Sequence, residues 1–262
     1  MHRFFLPQDS FSSSTVVIPP KLVHQLRNVL RLGPGDRIVA LDNGGSEYEV
    51  ELRRAARGGL EGAVLRRAPV TGDPGTRITL YQALLKGTKF ELVLQKCTEI
   101  GVAAFAPIVC ERCVAGEPTA SRAGRWQKII AEAAEQSGRG RLPALRNVES
   151  FREACEGATG TSLLPWEGER SAAIRSRLKK TGRTDDGAQV NIFIGPEGGF
   201  TVEEVKFAEG CGIVPVSLGR RILRAETAGL VAASVVLYEF GDMDCAGRGP
   251  GSHKRPKPAT EK

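Results

Sequence analysis

The hydrophobic pattern of the chain beyond residue 75 alternates between two periods. Short apolar runs predict buried strands at 78–84, 103–109, 161–165, 190–194 and 213–218. Segments with apolar residues every three or four positions predict helices at 88–100, 122–136, 172–178 and 226–240. Because strands that alternate with helices usually pair in parallel, the pattern predicts an α/β domain with a mainly parallel sheet and helices on its faces.

The pattern before residue 70 has a shorter period. Tyr48, Val50 and Leu52 alternate with glutamates, as in a strand with one buried face. Further strands are predicted at 4–6, 37–41 and 60–65, with a hairpin turn at 42–45 and one amphipathic helix at 19–30. Short strands joined by tight turns predict a small β-barrel over residues 1–70. Residues 69–76 have the composition of a linker, so the α/β domain is predicted over residues 75–242.

Two of the predicted strands lead into glycine-rich loops. The loop 195–200 (GPEGGF) precedes a predicted helix start, because Thr201 and Glu204 have capping-box spacing. The loop 219–224 (GRRILR) precedes the last helix. Glycine lets a ligand approach the backbone closely, and loops at the carboxyl ends of neighbouring parallel strands enclose a crevice. We therefore expect a ligand site between these loops, with 165–167 as a third contributor.

The loops lack the patterns of two common nucleotide sites. No Gly-Lys-Ser/Thr follows Gly199, which argues against a phosphate-cradling P-loop. No G-x-G-x-x-G follows the strand at 78–84, which argues against a dinucleotide-binding Rossmann site. The loops are also poor in metal ligands. Their glycines, apolar side chains and backbone amides suit a nucleoside-like ligand with an apolar or sulfonium portion.

Composition and charge narrow the class of protein. The chain has 262 residues and is 41% hydrophobic, which fits one or two domains with a sizeable core. No apolar run reaches the roughly 18 residues that span a bilayer, and the N-terminus has no signal-peptide pattern. We therefore expect a cytoplasmic protein without a membrane partner.

The chain is basic, with a formal net charge of +7 that fits a nucleic-acid partner. Part of this charge lies in residues 243–262, a segment rich in proline and glycine that has no apolar periodicity. We expect this tail to be disordered. It is either a solvated end or a loose basic arm that touches phosphates.

Cys110 and Cys113 have the spacing of a metal-binding pair. A structural zinc site needs four ligands, and neither a second pair nor a nearby histidine is present in the sequence. The pattern therefore favours reduced thiols and predicts no metal.

The two glycine-rich loops and their flanks resemble known signature motifs. The segments 194–200 (IGPEGGF) and 218–228 (LGRRILRAETA) resemble those of the RsmE family. Its members are 16S ribosomal RNA uridine N3-methyltransferases of the SPOUT superfamily. The similarity extends to the segments 1–5 (MHRFF) and 24–32 (HQLRNVLRL) and to central segments between 86 and 143, so that only residues after 242 lie outside it.

The resemblance implies more than the pattern does. It implies a PUA-like RNA-binding barrel at 1–70 and a SPOUT domain with a deep trefoil knot at 75–242, an exception to the rule against threaded connections. It implies S-adenosylmethionine as cofactor, 16S ribosomal RNA or the small ribosomal subunit as partner, and a homodimer whose site borrows from the partner subunit. Matching the motifs residue by residue, it assigns the methyl donor to Leu164, Ile194, Gly195, Gly199, Leu218, Gly219, Ile222 and Leu223.

Uridine methylation chemistry indicates further candidates. Uracil N3 is a poor nucleophile until it loses its proton, so a site must orient N3, favour the anion and exclude water. Arg220, Arg221 and Arg224 either stabilise charge on the uracil oxygens or pair with phosphates or with Glu226. Glu226 is either a base or a carboxylate placed to suit the helix dipole. The candidate RNA contacts of the N-terminal domain are basic: Arg3, Arg27 and Arg31.

Two other functions fit the same sequence. One is a related SPOUT enzyme that acts on another RNA. The other is a ribosome assembly factor without catalysis, against which the intact glycines of both loops argue.

The last predicted helix, 226–240, has almost no polar face. A helix of this kind is covered on more than one side. A partner subunit is the expected second cover, with the N-terminal domain as the alternative, and Val236 is expected to face outward.

Overall fold

The computed structural model describes residues 1–54, 59–179 and 187–244, which form two β-sheets. Within these ranges no helix is both long enough and apolar enough to cross a membrane. The predicted disordered tail falls almost wholly on residues 245–262, outside the described residues.

The first sheet is mixed and contains five strands in the order β1-β3-β4-β5-β2. Strands β1 and β3 pair in parallel, and the other pairs are antiparallel. Tyr48, Val50 and Leu52 are buried on one face, as their alternation predicts. The sheet encloses its own apolar cluster together with Leu22 and Leu26 of the helix α1. The bounds are β1 Arg3–Phe5, β2 Thr15–Val17, α1 Pro20–Asn28, β3 Arg37–Leu41, β4 Ser46–Arg54 and β5 Leu60–Pro69.

The second sheet is parallel throughout, which confirms the predicted α/β architecture. Its strand order is β12-β10-β11-β6-β7-β8, with β9 also paired to β7. The strands are β6 Arg77–Ala83, β7 Ala104–Val109, β8 Ala144–Leu145, β9 Glu149–Ser150, β10 Thr161–Pro165, β11 Gln189–Ile194 and β12 Val214–Val216. The helices are α2 Lys89–Ile100, α3 Ala120–Ser137, α4 Phe151–Gly157, α5 Ile174–Leu178, α6 Val202–Gly210 and α7 Ala225–Glu239.

The second sheet has an apolar core on each face. Ile78 and Leu80 of β6 belong to a cluster that includes residues of α2, α3 and α7. Tyr81 and Ala83, which alternate with them, belong to a second cluster with residues of α4 and α6. Because successive side chains of a strand point to opposite faces, one strand contributes to both cores.

The helix starts test the predicted capping patterns. The box at Thr201 and Glu204 is confirmed, since the Thr201 hydroxyl accepts from the Glu204 amide at 3.1 Å and the Glu204 carboxylate accepts from the Thr201 amide at 2.9 Å. The spacing of Thr88 and Glu91 in the sequence predicts a second capping box at the start of α2, and this prediction is wrong. The Thr88 side chain makes no capping bond, and the Glu91 carboxylate instead pairs with Arg125 at 2.9 Å.

The predicted linker is a packed connection. Asp73 forms a buried ion pair with Arg139 at 3.0 Å, and Arg139 also donates to the carbonyl groups at the end of α2. The amides of Gly75 and Thr76 donate to Asp242, just after α7. The connection therefore ties the start of the second sheet to the last helix.

A glycine pair tests this packing. Gly101 ends α2 at φ +114°, and a Cβ there would collide with Pro74 of the connection. We expect Gly101→Ala to lower the free energy of unfolding by about 2 kcal/mol, from backbone strain and overpacking together. Urea denaturation of the full chain measures this loss.

Gly124→Ala is the matched control. Gly124 is exposed inside α3, and a Cβ there would meet no atom of the described residues within 4 Å. We expect it to raise the free energy of unfolding by about 0.5–1 kcal/mol, because alanine favours a helix interior. Equal effects of the two substitutions would contradict the packed connection.

Candidate functional site

A cleft opens where three parallel strands end side by side. Strand β10 lies between β11 and β12, so the loops that follow these three strands meet at one edge of the sheet. The cleft has a volume of about 1210 Å³ and is lined mainly by the segments 165–171, 194–200 and 217–226. This is the crevice that the sequence predicts, with the third loop longer than expected.

The loop 195–200 has little room for side chains. A Cβ on Gly195 would lie 3.2 Å from the backbone nitrogen of Phe200. Gly199 has φ +69°, its amide donates to the Pro196 carbonyl at 2.9 Å, and a Cβ there would lie 2.6 Å from the Glu167 carboxylate. The positive φ therefore favours glycine at Gly199, whereas the Glu167 carboxylate is the end of a flexible side chain that can shift.

Contacts with residues at the start of α2 and after β7 hold this loop. The Glu197 carboxylate accepts from the Lys86 amide at 3.2 Å and from the Lys89 ammonium at 2.9 Å. Burial opposes the charge of Glu197, but these donors outweigh it and keep the pKa of Glu197 below its usual value. The Arg112 guanidinium donates to the Gly198 carbonyl at 2.9 Å. The loop is thus attached at two consecutive residues.

The loop after β10 is ordered by a carboxylate. Glu169 accepts from the amides of Ala172, at 2.9 Å, and Ser171, at 2.6 Å. Together with the Ser171 hydroxyl these bonds lower the pKa of Glu169 to about 2. Apart from the predicted 165–167 segment, sequence reasoning missed this loop. The predicted strand end at Pro165 was the one available signal.

The loop after β12 presents an open glycine. Gly219 has φ +112°, its amide donates to the Ser217 hydroxyl at 3.2 Å, and a Cβ there would meet no atom of the described chain within 4 Å. Ser217 is itself held by the Ala172 carbonyl, which accepts from the Ser217 amide at 2.8 Å. Gly219 therefore leaves the cleft free at its own position.

The start of α7 brings a cation and a carboxylate to the cleft. Arg224 directly precedes the helix and its side chain is 84% exposed, whereas the Glu226 side chain is 12% exposed. Their closest charged atoms are 4.0 Å apart, a weak contact. The Oε2 atom of Glu226 is buried and has no hydrogen-bond partner in the described part of the chain.

The cleft gathers most of the residues predicted from the motifs. The proposed catalytic residues Arg220, Arg224 and Glu226 all line it. Leu164 does not: its side chain is fully buried in a core cluster, and Pro165 is the first residue of its strand to reach the cleft. The predicted donor residues that line the cleft are Ile194, Gly195, Gly199, Leu218, Gly219, Ile222 and Leu223.

The predicted RNA-contact arginines lie in the N-terminal part of the chain, and the cleft lining of the described residues does not include them. Arg3 is on β1 and pairs with Glu47 at 2.9 Å. Arg27, in the last turn of α1, and Arg31, which follows it at φ +58°, are exposed. Two of the three cations are therefore available to a partner, and one is engaged.

The cysteine pair lies just beyond β7. The Cys110 amide donates to the Cys113 sulfur at 3.3 Å. Hydrogen bonding from Cys110 lowers the pKa of the Cys113 thiol to about 7, whereas burial raises the pKa of Cys97 to about 12. Among the described residues no group of three or more histidine, cysteine or acidic side chains is arranged to hold a metal ion.

Comparison with known proteins covers both sheets. The RNA methyltransferase domain family matches residues 73–237. The RNA methyltransferase PUA domain family matches residues 20–65.

Individual relatives extend over nearly the whole chain. A ribosomal RNA small subunit methyltransferase E from Synechocystis is 35% identical over 90% of this chain and 77% of its own length. The Bacillus subtilis protein of the same name is 32% identical over 91% of this chain and 97% of its own length. A crystal structure of ribosomal RNA small subunit methyltransferase E from Neisseria gonorrhoeae, bound to S-adenosyl methionine, matches with a TM-score of 0.80 and 34% identity, covering 91% of this chain and 97% of that one.

Proposed function

We propose, because the chain belongs to the ribosomal RNA small subunit methyltransferase E (RsmE) family, that it transfers a methyl group from S-adenosylmethionine to RNA of the small ribosomal subunit. The acceptor atom is N3 of a uridine in 16S ribosomal RNA. The observation that carries the proposal is the cleft between the loops 195–200 and 217–224, which unites nearly all motif residues at one sheet edge.

The cleft fits the methyl donor in size and in chemistry. Ile194, Leu218 and Leu223 supply apolar surface, and the open position at Gly219 admits a ligand against the backbone. Its volume of about 1210 Å³ exceeds the roughly 300–1,000 Å³ of an ordinary small-molecule pocket. The cleft therefore has room for the donor and for a nucleobase beside it.

Residues at the cleft perform the remaining tasks. S-adenosylmethionine, when bound, supplies an electrophilic methyl carbon on a sulfonium. The exposed guanidinium groups of Arg220 and Arg224 stabilise negative charge on the uracil oxygens as the N3 proton leaves. We propose that Glu226, which lines the cleft, accepts that proton, because its Oε2 atom has no hydrogen-bond partner in the described part of the chain and its contact with Arg224 is long.

We also propose that residues 75–242 contain a deep trefoil knot. After β11 the chain passes through α6 to β12, on the far side of β10, and α7 then returns to pack on β11 and β6. We propose that this return passes through the loop left by the preceding connection, which would make it one of the rare threaded connections. Residues 1–70, with their mixed sheet, form the PUA-like RNA-binding domain.

The second subunit of a homodimer is proposed to cover α7. One face of this helix is buried within the chain, and Val236 on that face is fully buried, so the expectation that it faces outward is wrong. The opposite stripe contains Val231, Ser234 and Tyr238, and Tyr238 is 69% exposed. A valine and an exposed tyrosine on this stripe of the last helix support a partner at that face.

The first test is methylation by the full chain. Incubation with small-subunit ribosomal RNA and isotope-labelled S-adenosylmethionine should place a methyl group at N3 of one uridine, read by mass spectrometry of the digested RNA. Transfer RNA is the comparison substrate. Label in transfer RNA alone would favour a related enzyme for another RNA, and failure to bind the donor in calorimetry would favour an assembly factor.

Two glycine variants test whether S-adenosylmethionine binds at Gly219. Calorimetry measures the affinity of each variant for it. Gly219→Ala should weaken donor binding at least tenfold, because its Cβ occupies the cleft. Gly212→Ala is the control, since Gly212 also has a positive φ and a Cβ there would meet no described atom within 4 Å, but Gly212 lies outside the cleft lining. Donor affinity lowered equally in both variants would mean that backbone strain, and not occupancy of the cleft, is responsible.

The N-terminal arginines should contribute to RNA affinity through phosphates. Arg27 and Arg31 are exposed, and Arg3 keeps further donors beside its bond to Glu47. The double substitution Arg27→Ala/Arg31→Ala should weaken RNA binding. It should also reduce the salt slope by about 0.7–0.9 for each phosphate that the variant no longer neutralises. Filter binding at several salt concentrations measures both.

A control with the same charge change separates contact from net charge. Arg37 and Arg53 are already paired with Glu49 and Glu51, each at 3.3 Å. Arg37→Ala/Arg53→Ala should leave the slope nearly unchanged. Equal slopes for the two double variants would contradict the assigned contacts.

The dimer is tested on α7. We expect Val231→Glu to convert a dimer into a monomer and to abolish methylation, because a buried unpaired carboxylate is unfavourable at an interface. Light scattering gives the mass of each form. Lys128→Glu on the exposed surface of α3 serves as the charge control. A monomer mass for the unmodified chain at micromolar concentration would rule the dimer out.

A further inference from the structure

The turn after β7, residues 110–113 (CERC), lies beside the cleft without lining it. Strand order puts β7 next to β6, which pairs with β11, so the turn approaches the loop 195–200 from the side away from β10 and β12. The turn is closed by the Cys113 amide, which donates to the Cys110 carbonyl at 3.0 Å, and by the Cys110 amide, which donates to the Cys113 sulfur. It therefore presents residues 111 and 112 in a fixed geometry.

Both residues at the top of this turn contact the segment that follows β11. The Glu111 amide donates to the Glu204 carboxylate at 2.9 Å, and the other oxygen of that carboxylate caps α6. The Arg112 guanidinium donates to the Gly198 carbonyl at 2.9 Å. A Cβ on Gly198 would lie 3.2 Å from Arg112 Cβ and 3.4 Å from its Cδ, so the loop backbone rests directly on the arginine stem.

The hydrogen bond from Arg112 to the Gly198 carbonyl fixes the orientation of a peptide group that has little steric restriction. The peptide unit between Gly198 and Gly199 is flanked by two residues without Cβ, so its rotation meets little steric resistance. Its two polar ends are held separately: the carbonyl by Arg112 and the amide by the Pro196 carbonyl at 2.9 Å. Because the peptide unit is planar, the two bonds together set its orientation and that of the cleft wall.

We propose that Arg112 is a positioning residue for methyl-donor binding, which it favours by holding the Gly198–Gly199 peptide in the binding-competent orientation. The inference rests on the proposed function, because it takes the loop 195–200 to be part of the donor pocket. Arg112 does not contact the donor. It acts through the backbone, and the CERC turn supplies the rigid base from which it reaches the loop.

The neighbouring attachment at Glu197 does not replace this bond. Lys86 and Lys89 hold the Glu197 side chain on the α2 side of the loop. A side-chain attachment at residue 197 leaves the next peptide free to rotate, whereas Arg112 binds the carbonyl itself. A charged donor also makes a stronger bond to a carbonyl than a neutral one does.

Two substitutions at Arg112 isolate the bond. Arg112→Met keeps the unbranched stem under Gly198 and removes every hydrogen-bond donor of the side chain. Arg112→Lys keeps a charged group that can still donate a hydrogen bond. We expect Arg112→Met to weaken S-adenosylmethionine binding about tenfold in calorimetry and to raise KM for the donor by a similar factor. The kcat at saturating donor should change less than twofold, and Arg112→Lys should recover most of the affinity.

Arg141→Met is the matched control. Arg141 donates to the Gly44 carbonyl at 2.9 Å, the same kind of bond to a glycine, but in the N-terminal hairpin and outside the described cleft lining. Its donor affinity should equal that of the unmodified chain. Urea denaturation of all variants shows whether any change in affinity reflects loss of folded protein.

The outcomes separate this inference from the proposed function. If the unmodified chain binds no S-adenosylmethionine, the proposed function fails and the inference fails with it. If the unmodified chain binds and Arg112→Met binds equally well, only the positioning role is overturned. The role is also overturned if Arg112→Met lowers kcat and stability together and Arg112→Lys restores neither.

Discussion

The parallel pairing of β10 with both β11 and β12 is the constraint from which the cleft arises. Carboxyl ends of parallel strands meet at the same edge, so three loops that are distant in sequence are forced together. After β11 the chain must pass β10 to reach the edge strand β12, and it then returns through α7. The start of α7 brings Arg224 and Glu226 to the same edge of the sheet. Strand order thus determines which chemistry the cleft contains.

The shape of the cleft depends on backbone more than on side chains. Gly199 and Gly219 both have a positive φ; a Cβ on Gly199 would meet the Glu167 carboxylate, whereas the space at Gly219 is open in the described part of the chain. A wall made of glycine backbone has little intrinsic rigidity, because glycine loses the most conformational freedom on ordering. Rigidity therefore comes from side chains that hold this backbone: the Glu197 carboxylate is bonded to the Lys89 ammonium, and the Arg112 guanidinium is bonded to the Gly198 carbonyl.

Local patterns in the sequence were enough to predict the alternation of strands and helices and the Thr201 capping box, because these depend on neighbouring residues. Predictions failed where a distant residue competed, as when Arg125 takes the Glu91 carboxylate from the start of α2. The same limit hid the buried Asp73–Arg139 pair, whose partners are 66 positions apart. The outward orientation predicted for Val236 was wrong for a different reason. An almost wholly apolar helix has no periodicity to show which side faces the core.

The distribution of paired and unpaired arginines indicates where RNA approaches. On the first sheet the glutamates of β4 pair with Arg3, Arg37 and Arg53. Among the arginines that line the cleft in the described part of the chain, only Arg224 has a carboxylate within 4.0 Å, that of Glu226. Since exposed cations attract phosphate most strongly when they have no carboxylate partner, we propose that Arg27, Arg31 and the exposed arginines of the cleft, which have no such partner nearer than 4.0 Å in the described part of the chain, contribute most to attracting the RNA backbone.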